Sequence, residues 1–348
     1  MSAIPICVLT GFLGSGKTTL LSALLRHRAM ARSAVIINEF GAVGLDHLLV
    51  ERSDDDIVQL NSGCVCCTIR GDLVRTIGDL IERRRRGAVL DFERIVIETT
   101  GLADPVPILQ ALMTDPALAG NVVLDRVVTI VDAVNGARTL ELYDEAARQV
   151  ALADRLVVTK TDLADPAASG LPGRFRALNP AAPVLTAVQG DIDPAALFGA
   201  GGRLAKTADA RAWLAADAPA AHGHGHDVSR HGADIRAHSF RRAQPIHAVA
   251  LTLYLEILAE HCGANLLRLK GLVNLAQSPD RPAVIHGVQH VLHPIEWLDA
   301  WPDAGRDSVF VFITKDIPGS WLECLLDCVE DEVAEVVARR NNAGKEGY

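Results

Sequence analysis

Gly11-Phe12-Leu13-Gly14-Ser15-Gly16-Lys17-Thr18 decides the fold, together with the apolar run Ile4–Thr10 before it and the stretch Lys17–Arg28 after it. The octet fits G-x-x-x-x-G-K-[ST] in full. Its setting, between a predicted strand and a predicted helix, is the context that gives such a match meaning. The glycines let backbone N–H groups curl around a β-phosphate. Lys17 neutralises charge on the β and γ oxygens, and Thr18 offers a hydroxyl to Mg²⁺. Gly11, Gly14, Ser15, Gly16, Lys17, Thr18 and Thr19 are the candidate phosphate-binding residues.

Working outward, Leu20, Leu21, Leu24 and Leu25 share one side of the helix that follows the loop. Short apolar runs recur at 35–38, 57–60, 94–98, 127–131, 156–159 and 184–186. Helical patterns fall between most of them, at 73–84, 107–113, 139–151 and 168–178. Such alternation predicts an α/β P-loop NTPase domain, with a mostly parallel sheet and helices on both faces. The runs lack polar alternation, which fits strands buried on both sides. The pattern fades near residue 200. A Gly/Ala-rich stretch there leads into AAHGHGHDVSRHGADIRAHSF, which holds His222, His224, His226, His231 and His238. Glycine and histidine cannot build a core, so 204–240 reads as a flexible linker. Beyond it, strands are expected at 247–253, 266–273, 283–292 and 308–314, and helices at 255–261 and 321–338. That grouping predicts a smaller α+β C-terminal domain over 241–348.

Three further motifs carry chemistry. Glu98-Thr99-Thr100-Gly101 ends a strand. There a carboxylate can hold Mg²⁺ directly or through water, and Gly101 can offer its N–H to a γ-phosphate. Lys17 and Glu98 are the candidate catalytic residues. Thr159-Lys160-Thr161-Asp162 ends a later strand and matches a guanine-reading pattern. In that pattern the Asp162 carboxylate accepts from N1–H and the 2-amino group; adenine has neither donor, and an unmet polar group gives large discrimination. Asp162 therefore argues for GTP. Its usual first residue is Asn. Thr159 removes an amide that would brace the loop and the base. The alternative is a plain strand-to-helix turn with Asp162 as N-cap.

The last is Cys64-Val65-Cys66-Cys67. Thiolates are soft ligands and suit Zn²⁺, Cu(I) and, with mixed donors, Co²⁺. Two or three thiolates with outside ligands are expected rather than a closed structural site, and Glu39 is a candidate oxygen donor. A redox role and inert buried thiols are the competing readings. His286, His290 and His293 cluster in HGVQHVLHP, with His286 and His290 expected on one strand face. The histidine run in the linker reads equally as metal loading or as a solvated segment. Cys324 and Cys328, at i and i+4 on a predicted helix, read as core residues.

Composition narrows the rest. The net charge of −9 argues against nucleic acid as a partner, which wants a basic footprint. The Arg83–Arg86 run suits a helix C-terminus, where cations complement the dipole. No apolar run is long enough to span a membrane, so no membrane partner is expected. The N-terminal residues lack a basic signal region, so a cytoplasmic setting is expected. Clustered cysteines in a reducing compartment read as metal or redox chemistry rather than a disulfide framework.

These motifs, in this order, resemble the CobW-type family of metal-chaperone GTPases, relatives of the hydrogenase and urease nickel-insertion GTPases. The matching residues are GFLGSGKTT at 11–19, NEFG at 38–41, GLDH at 44–47, CVCC at 64–67, ETTGLADP at 98–105, TKTD at 159–162 and RLKGLV at 268–273. The resemblance implies a GTP-dependent chaperone that loads a transition metal onto a client metalloprotein. It implies Lys17, Thr18 and Glu98 at the phosphates and Mg²⁺. It implies Lys160 and Asp162 at the base, and Cys64, Cys66 and Cys67 as the motif for Zn²⁺ or Co²⁺. Rival readings are a P-loop kinase or similar enzyme with structural thiols, and a passive metal store. The sequence leaves the oligomeric state open, a homodimer included.

Overall fold

The computed structural model describes residues 3–38, 57–59, 68–198, 235–302 and 304–343. These fall into two compact units, 3–198 and 235–343.

The first unit is built on a seven-stranded sheet. Its strands are β1 (Ile4–Gly11), β2 (Ser33–Asn38), β3 (Ile57–Gln59), β4 (Arg94–Thr99), β5 (Val122–Asp132), β6 (Arg155–Thr159) and β7 (Val184–Ala187), in the order β3-β2-β4-β1-β5-β6-β7. Every pairing is parallel. β1 is buried along its whole length, as its unbroken apolar run predicts. Helix α1 (Lys17–Leu25) lays Leu20, Leu21 and Leu24 over Cys7, Leu9, Val35, Val96, Val128 and Val157. Each fully buried leucine of this kind contributes about 1.5–3 kcal/mol. Burial pushes the Cys7 thiol well above the usual range, so it is a core residue and not a reactive one. Helix α2 (Thr68–Arg85) ends in Arg83, Arg84 and Arg85, as the charge pattern indicates.

After β4 the chain crosses β1 to reach β5. The order therefore reverses at β1, and ligands of open α/β sheets bind at such a reversal, beyond the carboxyl ends of the strands. The predicted helix over 139–151 is two: α3 (Val106–Thr114) is followed by α4 (Gly136–Leu142) and α5 (Asp144–Ala151). Tyr143 between them is extended, φ −130°, and its ring lies 4.5 Å from that of Phe12 in the phosphate loop. A side-chain contact across the fold thus overrides a continuous helical pattern. Helix α6 starts at Leu171, after Gly170, and α7 spans Pro194–Leu197.

The second unit has a six-stranded antiparallel sheet. Its path is β11-β10-β9-β13-β8, and β12 pairs with β10. The strands are β8 (Ile235–Arg242), β9 (Leu266–Leu275), β10 (Ser278–Val288), β11 (Val291–Leu292), β12 (Glu296–Trp297) and β13 (Ser308–Lys315). Two helices, α8 (Ala248–Cys262) and α9 (Gly319–Ala343), share one core with it, centred on Tyr254, Phe310, Phe312, Leu322 and Leu326. Tyr254 donates to the Leu322 carbonyl at 3.1 Å, and burial drives its phenol far above its ordinary range.

Three expectations fail here. Residues 248–253 are helix, not strand: the alternation in HAVALTLYL is a short window on the longer period that buries Ala250, Leu251, Tyr254, Leu255 and Leu258. His247 caps that helix by accepting from Val249 N–H at 3.2 Å. Residues 235–240 are not linker but most of β8, and His238 within it bonds the Ile317 carbonyl at 3.1 Å. Strand 283–292 is broken at Gln289, φ 53°. His286 consequently stacks on His293, with ring centroids 3.9 Å apart, and not beside His290, which turns to the Ala259 carbonyl.

Candidate functional site

The loops after β1, β4, β5 and β6 gather at the carboxyl edge of the parallel sheet. Ser15 N–H closes on the Phe12 carbonyl at 3.2 Å, and Leu20 N–H on the Gly16 carbonyl opens α1. Gly16 caps that helix at φ 92°, a left-handed conformation that disfavours any side chain. The first turn of α1 carries no acidic residue, so its positive end is uncompensated and suits an anion. Ser15 Oγ is buried and has no hydrogen-bond partner among the described residues. A phosphate oxygen fits both features.

Lys17 is buried, and its ammonium donates to the carbonyls of Gly11 at 2.9 Å and Phe12 at 3.2 Å. The loop thus wraps its own cation. Thr18 Oγ1 donates to Glu98 Oε1 at 2.9 Å, which joins the start of α1 to the end of β4. Glu98 is only 5% exposed. A buried carboxylate and a hydroxyl at one point are a hard oxygen pair of the kind Mg²⁺ takes. Beneath them Thr99 Oγ1 donates to Thr10 Oγ1 at 2.8 Å and ties the two strand ends together. Gly101 lies against the phosphate loop: a Cβ there would stand 2.6 Å from Leu13 N.

The base-reading motif also reaches the loop. Thr159 Oγ1 donates to the Ser15 carbonyl at 2.6 Å, and Lys160 Nζ donates to the Gly14 carbonyl at 2.7 Å. The amide expected to brace the loop is replaced by the Thr159 hydroxyl, which braces the loop itself. Lys160 takes φ 57°, and Asp162 is exposed on the turn that follows. The next helix begins nine residues later at Leu171 with Gly170 as its cap, so Asp162 is no N-cap.

Sequence reading missed four residues here. Asp132 ends β5 opposite Thr159 in register. It is buried, accepts from Asn135 N–H at 2.7 Å and lies 3.9 Å from Lys160 Nζ. An acidic strand end was its visible signal, as at Glu98. Gln149 on α5 donates to the carbonyls of Gly101 and Ala103, and Arg148 pairs with Asp104 at 2.9 Å. Together they hold the loop after β4. Tyr143, against Phe12, had no signal. Cys64, Cys66, Cys67 and Glu39 lie outside the described residues, as do His222, His224, His226 and His231.

A glycine loop on a helix N-terminus, an inward lysine and an acidic strand end define a P-loop nucleotide-binding protein, here with an antiparallel sheet domain in the same chain. The CobW/HypB/UreG nucleotide-binding domain profile matches residues 5–186, and the cobalamin synthesis protein cobW C-terminal domain profile matches residues 235–329. The chain is 34% identical to the zinc chaperone YjiA of Escherichia coli over 91% of its own length and 96% of that protein's. It is 38% identical to the zinc chaperone CobW of a Sinorhizobium species over 48% of this chain and 53% of that one. The crystal structure of the Zn(II)-bound YjiA GTPase from E. coli superimposes with a TM-score of 0.71 at 29% identity, covering 94% of this chain and 99% of that one. The chain belongs to the CobW family.

Proposed function

We propose that this protein binds a transition metal, Zn²⁺ or Co²⁺, at Cys64, Cys66 and Cys67, and delivers it to a client protein as GTP is hydrolysed. It is a GTPase and a metallochaperone of the CobW family. The reading beyond that rests on one observation above all, the Thr18–Glu98 hydrogen bond beside a loop that wraps Lys17. In this reading Lys17 faces the β and γ oxygens, and backbone N–H groups of residues 14–18 cradle the β-phosphate. Mg²⁺ held at Thr18 and Glu98 supplies charge neutralisation of the β and γ oxygens. Gly101 offers its N–H to the γ-phosphate. Lys160 and Asp162 face the guanine, with Thr159 steadying the loop.

Chain connectivity supports coupling between nucleotide and metal. Glu39 follows Asn38, the last residue of β2, whose register partner is Thr99, next to Glu98. Cys67 directly precedes α2, which begins at Thr68. Glu39 is thus covalently adjacent to a strand end beside Glu98, and Cys67 to the start of α2. Nucleotide state shifts metal affinity through the segments 38–47 and 61–70, and linkage requires metal to tighten GTP by the same factor. Among the described residues no side chain is placed as a catalytic base or arginine finger, and slow turnover without metal or client is the expected consequence.

The test is a Co²⁺ titration of the reduced full chain with a non-hydrolysable GTP analogue and Mg²⁺, and again with GDP. Thiolate charge-transfer absorption that is tight only with the analogue, and lost in Cys66→Ser, supports the coupled site. Equal affinity with both nucleotides overturns it.

A further inference from the structure

Cys7 is buried and Cys262 packs against the core of the second unit, which leaves two exposed thiols without a role among the described residues. Cys324 and Cys328 lie one turn apart on α9, and both are exposed. The i, i+4 spacing suggested core residues, but the core positions of this helix are Leu322, Leu326, Val329 and Val333. Free cysteine is among the most buried residue types, so a solvent-facing pair is unusual and nothing in the packing requires it.

The two thiols are hydrogen-bonded to each other. That bond, then the charge of Cys324 and further off Asp331 and Asp327, holds the Cys328 thiol above its ordinary range. Cys328 is therefore held as a thiol, not as a reactive thiolate. A disulfide fits poorly, because i and i+4 side chains on a helix have Cβ atoms about 5–6 Å apart, whereas a disulfide wants about 3.8 Å. A bridging ion fits well. Two thiolates on one tetrahedral Zn²⁺ sit about 3.8 Å apart for Zn–S bonds of about 2.3 Å, close to the spacing of hydrogen-bonded thiols. The same helical spacing sets two imidazoles on one zinc ion in H-E-x-x-H sites.

Among the described residues no group of three or more His, Cys, Asp or Glu is placed to hold a metal. Asp327 is engaged with Arg242. The pair thus offers two ligands and no more, and the carboxylates around it contribute field.

We propose that Cys324 and Cys328 form a second, open site for a thiophilic divalent cation of the Zn²⁺ class, with two coordination positions left for ligands from outside. Binding forms two metal–sulfur bonds and releases two protons, one from each thiol. Structural zinc sites close all four positions, whereas sites that exchange ligands keep some open. The site is therefore suited to handing metal on. That handover rests on the metallochaperone reading; the binding itself does not.

The test starts from the full chain with Cys64, Cys66 and Cys67 all changed to Ser, which removes the other thiol cluster. Titration with Co²⁺ is expected to give a thiolate charge-transfer band and a release of two protons per ion. Adding Cys324→Ser and Cys328→Ser is expected to abolish the band, and either substitution alone to weaken Zn²⁺ binding at least tenfold. Co²⁺ held by the histidine run gives no such band. GTP hydrolysis should be unchanged in Cys324→Ser/Cys328→Ser. In the unsubstituted chain, Zn²⁺ should protect Cys324 and Cys328 from alkylation, read by peptide mass, separately from Cys64–Cys67. Failure at Cys64–Cys67 with protection at Cys324 and Cys328 sinks the chaperone reading and leaves this site standing. A band that survives the added substitutions, or alkylation of Cys324 and Cys328 at equal rates with and without Zn²⁺, overturns it.

Discussion

Thr159 and Ser15 stand 144 residues apart in sequence, and the Thr159 hydroxyl donates to the Ser15 carbonyl at 2.6 Å in the protein interior. This bond carries the end of β6 to the phosphate loop, and Lys160 repeats the link at Gly14. Removing the donor leaves a buried carbonyl unsatisfied, a cost of about 1–3 kcal/mol. Thr159→Val is isosteric and should weaken guanine nucleotide binding roughly 5- to 150-fold at that energy. Thr159→Asn, which restores a donor, should recover most of it. Titration of a fluorescent GDP analogue reads both. Equal affinity in wild type and Thr159→Val would show that the bond does not steady the nucleotide loop.

Thr18 and Glu98 make a sharper case, because their bond survives an isosteric change. In Glu98→Gln the amide oxygen still accepts from Thr18 Oγ1, so the joint between α1 and β4 holds. What goes is the negative charge. The Mg²⁺ concentration for half-maximal hydrolysis should rise at least tenfold, while the thermal midpoint stays near that of wild type. Lys17→Ala should cut hydrolysis by about 10²–10³, the usual loss for one donor to a developing charge. Unaltered Mg²⁺ dependence in Glu98→Gln would remove this carboxylate from the phosphate site.

The sequence made this half of the molecule legible because strand burial and loop chemistry are local. Ile4–Gly11 and the glycine loop each have one reading, and Glu98 sits where a strand must end. Thr159 was misread because its partner is distant: a hydroxyl and an amide can brace the same carbonyl, and only the fold brings Ser15 within reach. Tyr143 is similar, since its ring lies tilted against Phe12 at a break in a helix that periodicity alone would run through. In the second unit, residues 247–253 alternate like a strand over seven positions and like a helix over fifteen. Cys324 and Cys328 have core spacing but stand two positions along from the core pair Leu322 and Leu326.

Gly101 supplies a steric prediction. A methyl group there would lie 2.6 Å from Leu13 N and 2.8 Å from Leu13 Cα, both backbone atoms that cannot rotate away. Gly101→Ala must therefore push the phosphate loop off its present path. Overpacking of this kind costs about 1–3 kcal/mol. GTP affinity and thermal midpoint should fall together, whereas Gly78→Ala on α2, where an added Cβ meets nothing within 4 Å, should change neither binding nor turnover. Wild-type nucleotide affinity in Gly101→Ala would mean that the loop is not held against β4 when the protein works.

The stacked pair His286–His293 sets a pH limit on the second unit. Burial, and then the Arg268 guanidinium, lower the His293 pKa from 6.5 to about 4. Burial also lowers that of His238. Above pH 6.5 His293 is neutral in both folded and unfolded chains and contributes no slope. Between 6.5 and about 4 the unfolded chain takes up a proton that the folded chain refuses, so stability falls as pH falls. The limiting slope for one such group is about 1.4 kcal/mol per pH unit. Hydrogen exchange of the β9 and β13 amides, followed from pH 7.5 to 5, should show opening that grows easier toward acid beyond the intrinsic rate change. His293→Gln, which keeps a polar ring-sized group but cannot charge, should flatten that dependence. An identical slope in the variant would place the acid sensitivity elsewhere, with His238 the next group to change.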